Sequence, residues 1–551
     1  MVRMPVGIED FKALITGGYY FVDKTDLIRR LIDSHGAVTL FARPRRFGKT
    51  LTMSMVDYFF NIAHKEEAET LFKGTNIEKA GPVYMKHLGS RPVLFLSLKD
   101  VKESDFGNMT ARMGRLMAAT CQKYHFLLDN PSVLDSEKTY FLRLENQEAS
   151  PVDLQDSLRT LLDLLSRYYG KRALLLIDEY DAPVQTAWEN GYYHEAVSFM
   201  RNFLSSALKT NPSLEFALLT GVLRIAKESI FSGLNNLSIS TVISGGYADT
   251  FGFTKKEIRK IAEILGKTDK LQELSDWYDG YHFQNVEIYN PWSIINYFDQ
   301  GCIATSYWVN TSGNSILAYL LQSADERRWQ EIRDLMAGKS ITSGINENVV
   351  YDTLNPDRTT LYTVLLFTGY LKCTGLVENR RGLYDLAIPN RELRDVFEDE
   401  IISRLGSGNS DIALHDMETA MNSGNAESFQ FNLQDILTRT AGIHDTAKAE
   451  SFYHGLMLGF SLYYENNYRI ESNRESGYGR FDLALIPKKK NLPGIIMEFK
   501  AVKEEKELPK AAEKAKNQIE EKAYDTAMTT AGITRIWKYG IAFCGKKVIV
   551  T

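Results

Sequence analysis

AVTLFARPRRFGKTLTMSMVDYFF, residues 37–60, passes from a short apolar run through a basic turn with one glycine into a helical pattern. Strand, loop and helix in that order have the arrangement of a nucleotide-binding loop. Gly48 lets the backbone approach a phosphate, Lys49 can reach the β and γ oxygens, and Thr50 can place its hydroxyl on magnesium, while the helix N-terminus adds partial positive charge. The full pattern, GxxxxGK[ST], would set a glycine at position 43; Arg43 stands there, followed by Pro44, Arg45 and Arg46. These arginines either supplement phosphate neutralisation or form an exposed basic turn. A GKT tripeptide is common by chance, so the reading depends on what lies around it.

Outward from this stretch, PVLFLSL (92–98), RALLLID (172–178) and LEFALLT (214–220) are continuously apolar rather than alternating. That suits strands of a parallel sheet covered on both faces by helices, and the shortness of each run argues against helix fragments. RALLLID delivers Asp178 and Glu179 to the sheet's C-terminal edge, with Asp178 placed 129 residues after Lys49. Phosphoryl transfer uses such a pair, one carboxylate to hold magnesium and its neighbour to polarise the attacking water. An acidic strand end is the bland alternative; the two motifs in the correct order point to ATP with Mg2+. Thr220, at the tip of the next strand, and Arg224 just beyond either sense the γ-phosphate or are a capping threonine and a surface arginine.

From Phe251 the texture changes. FTKKEIRKIAEILG is an amphipathic helix with Thr254 as its N-cap, and aromatic loops follow in WYDGYHF, YNPWSIINYF and YWVNTSGN, which together suggest a helical lid. Residues 361–400 read helix, β-hairpin, helix, a winged-helix-like order, and GSGNSD near 405 marks a boundary.

A second constellation lies in YGRFDLALIPKKKNLPGIIMEFKAV, residues 478–502. Two strands joined by a Lys/Pro/Gly turn form a hairpin. Glu498 and Lys500, two apart, share one face of a strand, and Asp482 on the partner strand can come alongside. Two carboxylates and a lysine on one face can hold a divalent metal at a phosphate, with Lys500 orienting or activating water. A charged, half-exposed sheet face is the alternative. The preceding helix, about 446–464, can present Glu450 to the hairpin. The following helix carries Leu508, Ala512, Ala515 and Ile519 as a core stripe, with Gln518 on its flank. His454 is either a proton-transfer or phosphate contact or a satisfied core histidine. Lys488–Lys490, Lys503, Lys506, Lys510, Lys514 and Lys516 either follow a phosphate backbone or solvate a helix face.

Composition sets the limits. The 551 residues hold 65 Lys and Arg against 70 Asp and Glu, which argues against a chain coated all over in nucleic acid, although residues 480–551 carry a net charge of +6. Four scattered cysteines support neither a disulfide scaffold nor a cysteine metal site. No secretory signal or membrane-spanning run is expected, and the chain reads as cytoplasmic.

The segments GIEDFKALITGGYYFVDKT, RPRRFGKT, LLLIDEYDAP, LLTGVLRIAKESIFSGLNNL, WYDGYHF, YNPWSI and YWVNTSGN resemble the bacterial AAA-ATPase-like family over about the first 340 residues. The resemblance implies a P-loop NTPase core of the additional-strand type with a helical lid. It also places Tyr20, Asp23, Lys24 and Thr25 in a family motif, with base docking and packing both open as roles. Residues from about 415 resemble the PD-(D/E)XK nuclease superfamily, carried by AESFYHG, RESGYGRFD and IIMEFK. By that match Asp482, Glu498 and Lys500 take catalytic and metal roles, with Gln518 and Glu450 beside them. The expected α/β architecture is then a NTPase core over 1–250, a lid over 251–345, a winged-helix-like region over 346–405 and a nuclease-like domain over 410–551. The expected function is ATP binding and hydrolysis, at Arg46, Gly48, Lys49, Thr50, Asp178, Glu179, Thr220 and Arg224, coupled to metal-dependent cleavage of nucleic acid. Mg2+ or Mn2+ would serve the second site. DNA is favoured over RNA, oligomers are compatible, and the setting is defence or mobile-element conflict. The rival is a nucleotide-switched protein whose C-terminal domain binds without cutting.

Overall fold

A computed structural model describes residues 2–34, 36–223, 231, 237–308, 317, 326–347, 358–377, 380, 382–405, 410–439, 450–464, 467–476 and 479–551. The chain divides into two compact units, Met1–Asn310 with Thr342–Glu392, and Thr311–Ile341 with Leu393–Thr551.

The first unit is built on a five-stranded sheet of β1 (Val38–Ala42), β2 (Val93–Ser97), β3 (Ala173–Asp178), β4 (Leu214–Gly221) and β5 (Leu237–Ser240). Its order is β2-β3-β4-β1-β5, and all four pairings are parallel. The strand β4 therefore lies between the strand that leads into the phosphate-binding loop and the strand that ends in Asp178. This is the additional-strand arrangement. Every residue of β1 and β3 is buried, as a strand covered on both faces requires. One covering helix, Pro151–Tyr169, shows how the sequence specifies such a layer. Ser150 and Asp153 form a capping box, Pro151 opens the helix, and Gly170 closes it in the left-handed conformation at φ 61°. Between these ends Leu154, Leu158, Leu161, Leu162 and Leu165 make its buried stripe.

The Thr254 N-cap is present: its hydroxyl accepts from the Glu257 amide, Glu257 accepts from the Thr254 amide at 2.7 Å, and the helix Lys255–Leu265 follows. Two of the three aromatic stretches expected as loops, WYDGYHF and YNPWSIINYF, are largely regular structure instead, while YWVNTSGN lies outside the described residues from position 309 on. WY closes the helix Leu271–Tyr278, YHF is β7 (Tyr281–Phe283), and VEIY is β8 (Val286–Tyr289). Asn290 caps the helix Pro291–Asp299 by accepting from the Trp292 amide at 2.9 Å. The strands β7 and β8 form a small antiparallel sheet with β6 (Phe253–Thr254). Strands of two to four residues are too short for a period of two to show in the sequence. Further on, β9 (Ile341–Gly344), the helix Arg358–Thr368, the antiparallel pair β10 (Lys372–Leu376) and β11 (Leu383–Ala387), and the helix Arg391–Leu405 follow the expected helix–hairpin–helix order.

The second unit carries a mixed sheet of β12 (Tyr468–Ser476), β13 (Gly479–Pro487), β14 (Gly494–Ala501), β15 (Ile536–Cys544) and β16 (Lys547–Val550), in sequence order. Neighbours are antiparallel except β14 and β15, which run parallel. A parallel pair needs a crossover, and the helix Leu508–Glu521 supplies it. Its buried residues are Leu508, Ala512, Ala515 and Ile519, the stripe expected from spacing.

Candidate active sites

The loop expected to bind phosphate runs from β1 into helix α1 (Lys49–Phe60), and Gly48 caps α1 in the left-handed conformation at φ 78°. Only a residue without Cβ adopts this turn at little cost. Lys49 is buried, and its ammonium donates to the carbonyls of Arg43 at 3.1 Å and Pro44 at 2.9 Å. Burial lowers its pKa, while Glu179, Asp178 and Asp181 oppose that shift. Thr50 donates to Asp178 Oδ2 at 2.7 Å, and Thr220 donates to Asp178 Oδ1. The fully buried Asp178 thus has each oxygen on a hydroxyl, one from the loop helix and one from β4. Glu179 follows at φ 51°, a backbone conformation that costs a non-glycine residue about 1–3 kcal/mol. Burial raises the pKa of its carboxyl, Asp178 and Asp181 add to that, and Lys49 opposes.

Arg43 departs from both roles expected of the arginines. It is neither exposed nor turned to a phosphate: its side chain is fully buried and donates to the Ala42 carbonyl at 3.0 Å, the Ser240 carbonyl at 2.8 Å, the Ser240 hydroxyl at 2.9 Å and the Tyr247 carbonyl at 3.2 Å. Burial lowers its pKa to about 9. The residue in the first-glycine position therefore ties the loop to the end of β5. Arg45 donates to Gln185 at 3.1 Å. Arg46 lies 4.2 Å above the Trp292 ring and donates to the Tyr307 carbonyl at 3.0 Å. Arg224 lies outside the described residues.

The motif at residues 20–25 makes fold contacts. Asp23 accepts from the amides of Thr25 and Asn76, at 2.9 and 2.7 Å, and Thr25 accepts from the Ile77 amide at 3.0 Å. Lys24 bonds the Asp249 carbonyl and Glu257, both at 2.8 Å, and Tyr20 packs on the cluster around Met4 and Ile258.

In the second unit, the ladder Leu483↔Met497, Ala484↔Ile496, Leu485↔Ile495 sets Asp482 one step further on, across from Glu498. Asp482 Oδ2 accepts from the Phe499 amide at 2.7 Å. Glu498 is 2% exposed, and its Oε1 accepts from Lys500 at 3.4 Å and from Gln518 of helix α3 (Leu508–Glu521). Its Oε2 is buried with no hydrogen-bond partner among the described residues. Burial first, then the Asp482 charge, pushes the Glu498 pKa up to about 7, with Lys500 pulling the other way. A buried acceptor without a donor, beside a second carboxylate, is a donor set that fits a divalent cation. Among the described residues no three His, Cys, Asp or Glu gather as a metal cluster. Glu450 opens the helix α2 (Glu450–Leu462), but its side chain lies outside the described residues. His454 of α2 is a satisfied core histidine: it is 5% exposed, with Nε2 at 2.9 Å from both the Asp482 carbonyl and the Ser472 hydroxyl.

Two participants escaped the sequence reading. Tyr524 is buried and accepts from Gln518 at 3.3 Å, so it backs the amide that reaches Glu498. Gly540 is the Cα partner of Glu498 on β15, and an added Cβ there would overlap the Ala512 carbonyl and the Lys516 amide of α3. No signal in the sequence marks either residue, since each acts through a strand or helix distant in the chain.

Residues 5–231 match the family model described as predicted AAA-ATPase, and residues 448–551 match that of the PD-(D/E)XK nuclease superfamily. The chain thus joins an ATPase-type segment to a nuclease-type segment. It is also similar to an uncharacterized protein in the vnfD 5' region of Azotobacter chroococcum mcd 1, at 27% identity over 322 residues, which is 58% of this chain and 56% of that protein. The chain therefore spans little more than half of that relative's length. No helix among the described residues is long and apolar enough to cross a membrane.

Proposed function

We propose that this protein binds and hydrolyses ATP at the first site and, under that control, cleaves phosphodiester bonds of nucleic acid at the second, with DNA preferred to RNA. The observation that carries the reading is the buried Oε2 of Glu498, without a hydrogen-bond partner among the described residues, on a residue that lies across the hairpin from Asp482, with Lys500 and Gln518 on its other oxygen. A divalent ion, Mg2+ or Mn2+, would supply Lewis-acid stabilisation of charge on the phosphate. Asp482 and Glu498 would hold it, joined by Glu450 from α2. Gln518 fixes one Glu498 oxygen so that the other stays directed, and Lys500 places a cation where the scissile phosphate enters.

At the first site Gly48, Lys49, Thr50 and Asp178 bind ATP with Mg2+, Glu179 orients water, and Thr220 holds Asp178. Lys49 now sits on its own loop carbonyls, and a triphosphate would replace those acceptors with stronger, charged ones. Arg46 and Arg224 are the flanking candidates for phosphate charge. The pairing of an ATPase-type with a nuclease-type segment fits a role in defence or mobile-element conflict.

The test is incubation of the purified chain with plasmid and single-stranded DNA and with RNA, in Mg2+ or Mn2+, with and without ATP. Cleavage that needs metal and changes with ATP is the expected result. Nucleic-acid binding without cleavage under every condition replaces the nuclease with the nucleotide-switched binding protein.

A further inference from the structure

Tyr180 and Asp181 follow the acidic pair and have no part in the chemistry above, yet both are buried, Asp181 to 3% exposure. Asp181 Oδ2 accepts from two consecutive amides just past β4, Val222 at 2.8 Å and Leu223 at 2.9 Å. Tyr180 donates its hydroxyl to the Leu223 carbonyl at 2.8 Å and its amide to the Thr220 carbonyl at 3.0 Å. Gly221 lies under both side chains, where a Cβ would come 2.6 Å from Tyr180 Cε1 and 2.7 Å from Asp181 Oδ1. The β3 exit is thereby sewn to the β4 exit on one side of Glu179. On the other side Asp178 is held by Thr50 and Thr220, and the Glu179 amide itself reaches the Thr220 hydroxyl at 3.4 Å. Glu179 is left in a left-handed conformation between two fixed ends.

We propose that Tyr180 and Asp181 are positioning residues for ATP hydrolysis, clamping the exit of β3 to the exit of β4 so that Glu179 is aimed at the attacking water. The inference rests on the nucleotide reading of this site and assigns it two further residues. What the clamp requires of Asp181 is an acceptor oxygen for two amides, not a negative charge, and an asparagine oxygen can take the same bonds. Alanine would leave both amides without an acceptor and release the turn.

Steady-state ATPase kinetics and ATP affinity by calorimetry, with a thermal melt of each full-length variant, test this. Asp181→Ala should lower kcat by about 10²-fold with ATP affinity and KM little changed, since small misplacement of a reacting group has effects of that size. Asp181→Asn should recover most of the rate. If Asp181→Ala does not fold, Tyr180→Phe carries the test: it keeps the ring and loses one bond of the clamp, and should lower kcat about tenfold at constant KM. Folded variants that turn over at the wild-type kcat overturn the clamp, and so does a loss confined to ATP affinity. Asp181→Asn as impaired as Asp181→Ala also overturns it, because charge beside Lys49 would then be what counts. A wild type that hydrolyses no ATP overturns the nucleotide reading and the clamp together, whereas a hydrolysing wild type with unaffected variants overturns the clamp alone.

Discussion

The two acidic pairs of this chain sit on buried strands, yet they are compensated in opposite ways. Asp178 has a hydroxyl on each oxygen and a buried lysine nearby, so the pocket is held together by the protein's own donors. Among the described residues Glu498 has two donors, Lys500 and Gln518, on one oxygen and none on the other, and it faces a second carboxylate across the hairpin. A buried acceptor left open costs free energy unless something fills it. The first site is therefore internally compensated, whereas the second is built with a deficit of positive charge.

The largest effects should come from disrupting the site that carries that deficit. Asp482→Ala and Glu498→Ala should each lose metal binding and at least about 10³-fold in cleavage, while Lys500→Ala keeps the metal and loses about 10²-fold in rate. Calorimetry with Mn2+ beside a cleavage assay checks this, and carboxylate variants that bind manganese like the wild type would remove the contrast between the sites. At the first site the parts should separate: Lys49→Ala loses ATP binding, and Glu179→Gln binds ATP but hydrolyses it about 10²-fold more slowly.

A smaller effect belongs to stability. Glu498 titrates near 7 in the fold, against an ordinary value of 4.5, so the folded state holds this proton more tightly than the unfolded chain. Stability from this group is full below about pH 4.5 and is lost as pH rises through about 7, a change of about 3 kcal/mol at 1.36 kcal/mol per unit. Melts of the metal-free protein across that range should show the slope, Glu498→Gln should flatten it, and added Mn2+ should offset it at the upper end. Smallest is the electrostatic effect of Lys488, Lys489 and Lys490, exposed in the turn between β13 and β14. Replacing them with alanine should weaken binding to all DNA sequences alike and reduce the salt slope by about 0.9 for each phosphate no longer neutralised. An unchanged slope would make them solvating residues.

The strands of the first sheet could be read from the sequence because four of them are predominantly apolar runs, interrupted in β4 by Glu215. The fifth, LSIS at 237–240, could not, being short and half polar. The local part of each site was equally plain: Gly48, Lys49 and Thr50 are adjacent, and Glu498 and Lys500 are two apart on one strand. Gln518 was reachable because the stripe Leu508, Ala512, Ala515, Ile519 fixes which face of its helix is buried. Arg43 shows where such reading ends. Its partner Ser240 is 197 residues away, and three arginines so close together give no sign of which one turns inward. Asp181 lies in the same acidic run as Asp178, but only the position of β4 reveals that it binds amides rather than a ligand.

Gly540 has no functional group, yet it decides how closely a helix can lie against the strand that bears Glu498. The side chain it lacks is the clearance that lets Gln518 arrive at hydrogen-bond distance. In a saturation screen for impaired cleavage, this position should cluster with the carboxylates and not with the small residues of the sheet. A substitution there would force the helix backbone away from the strand and carry the amide out of reach of Glu498.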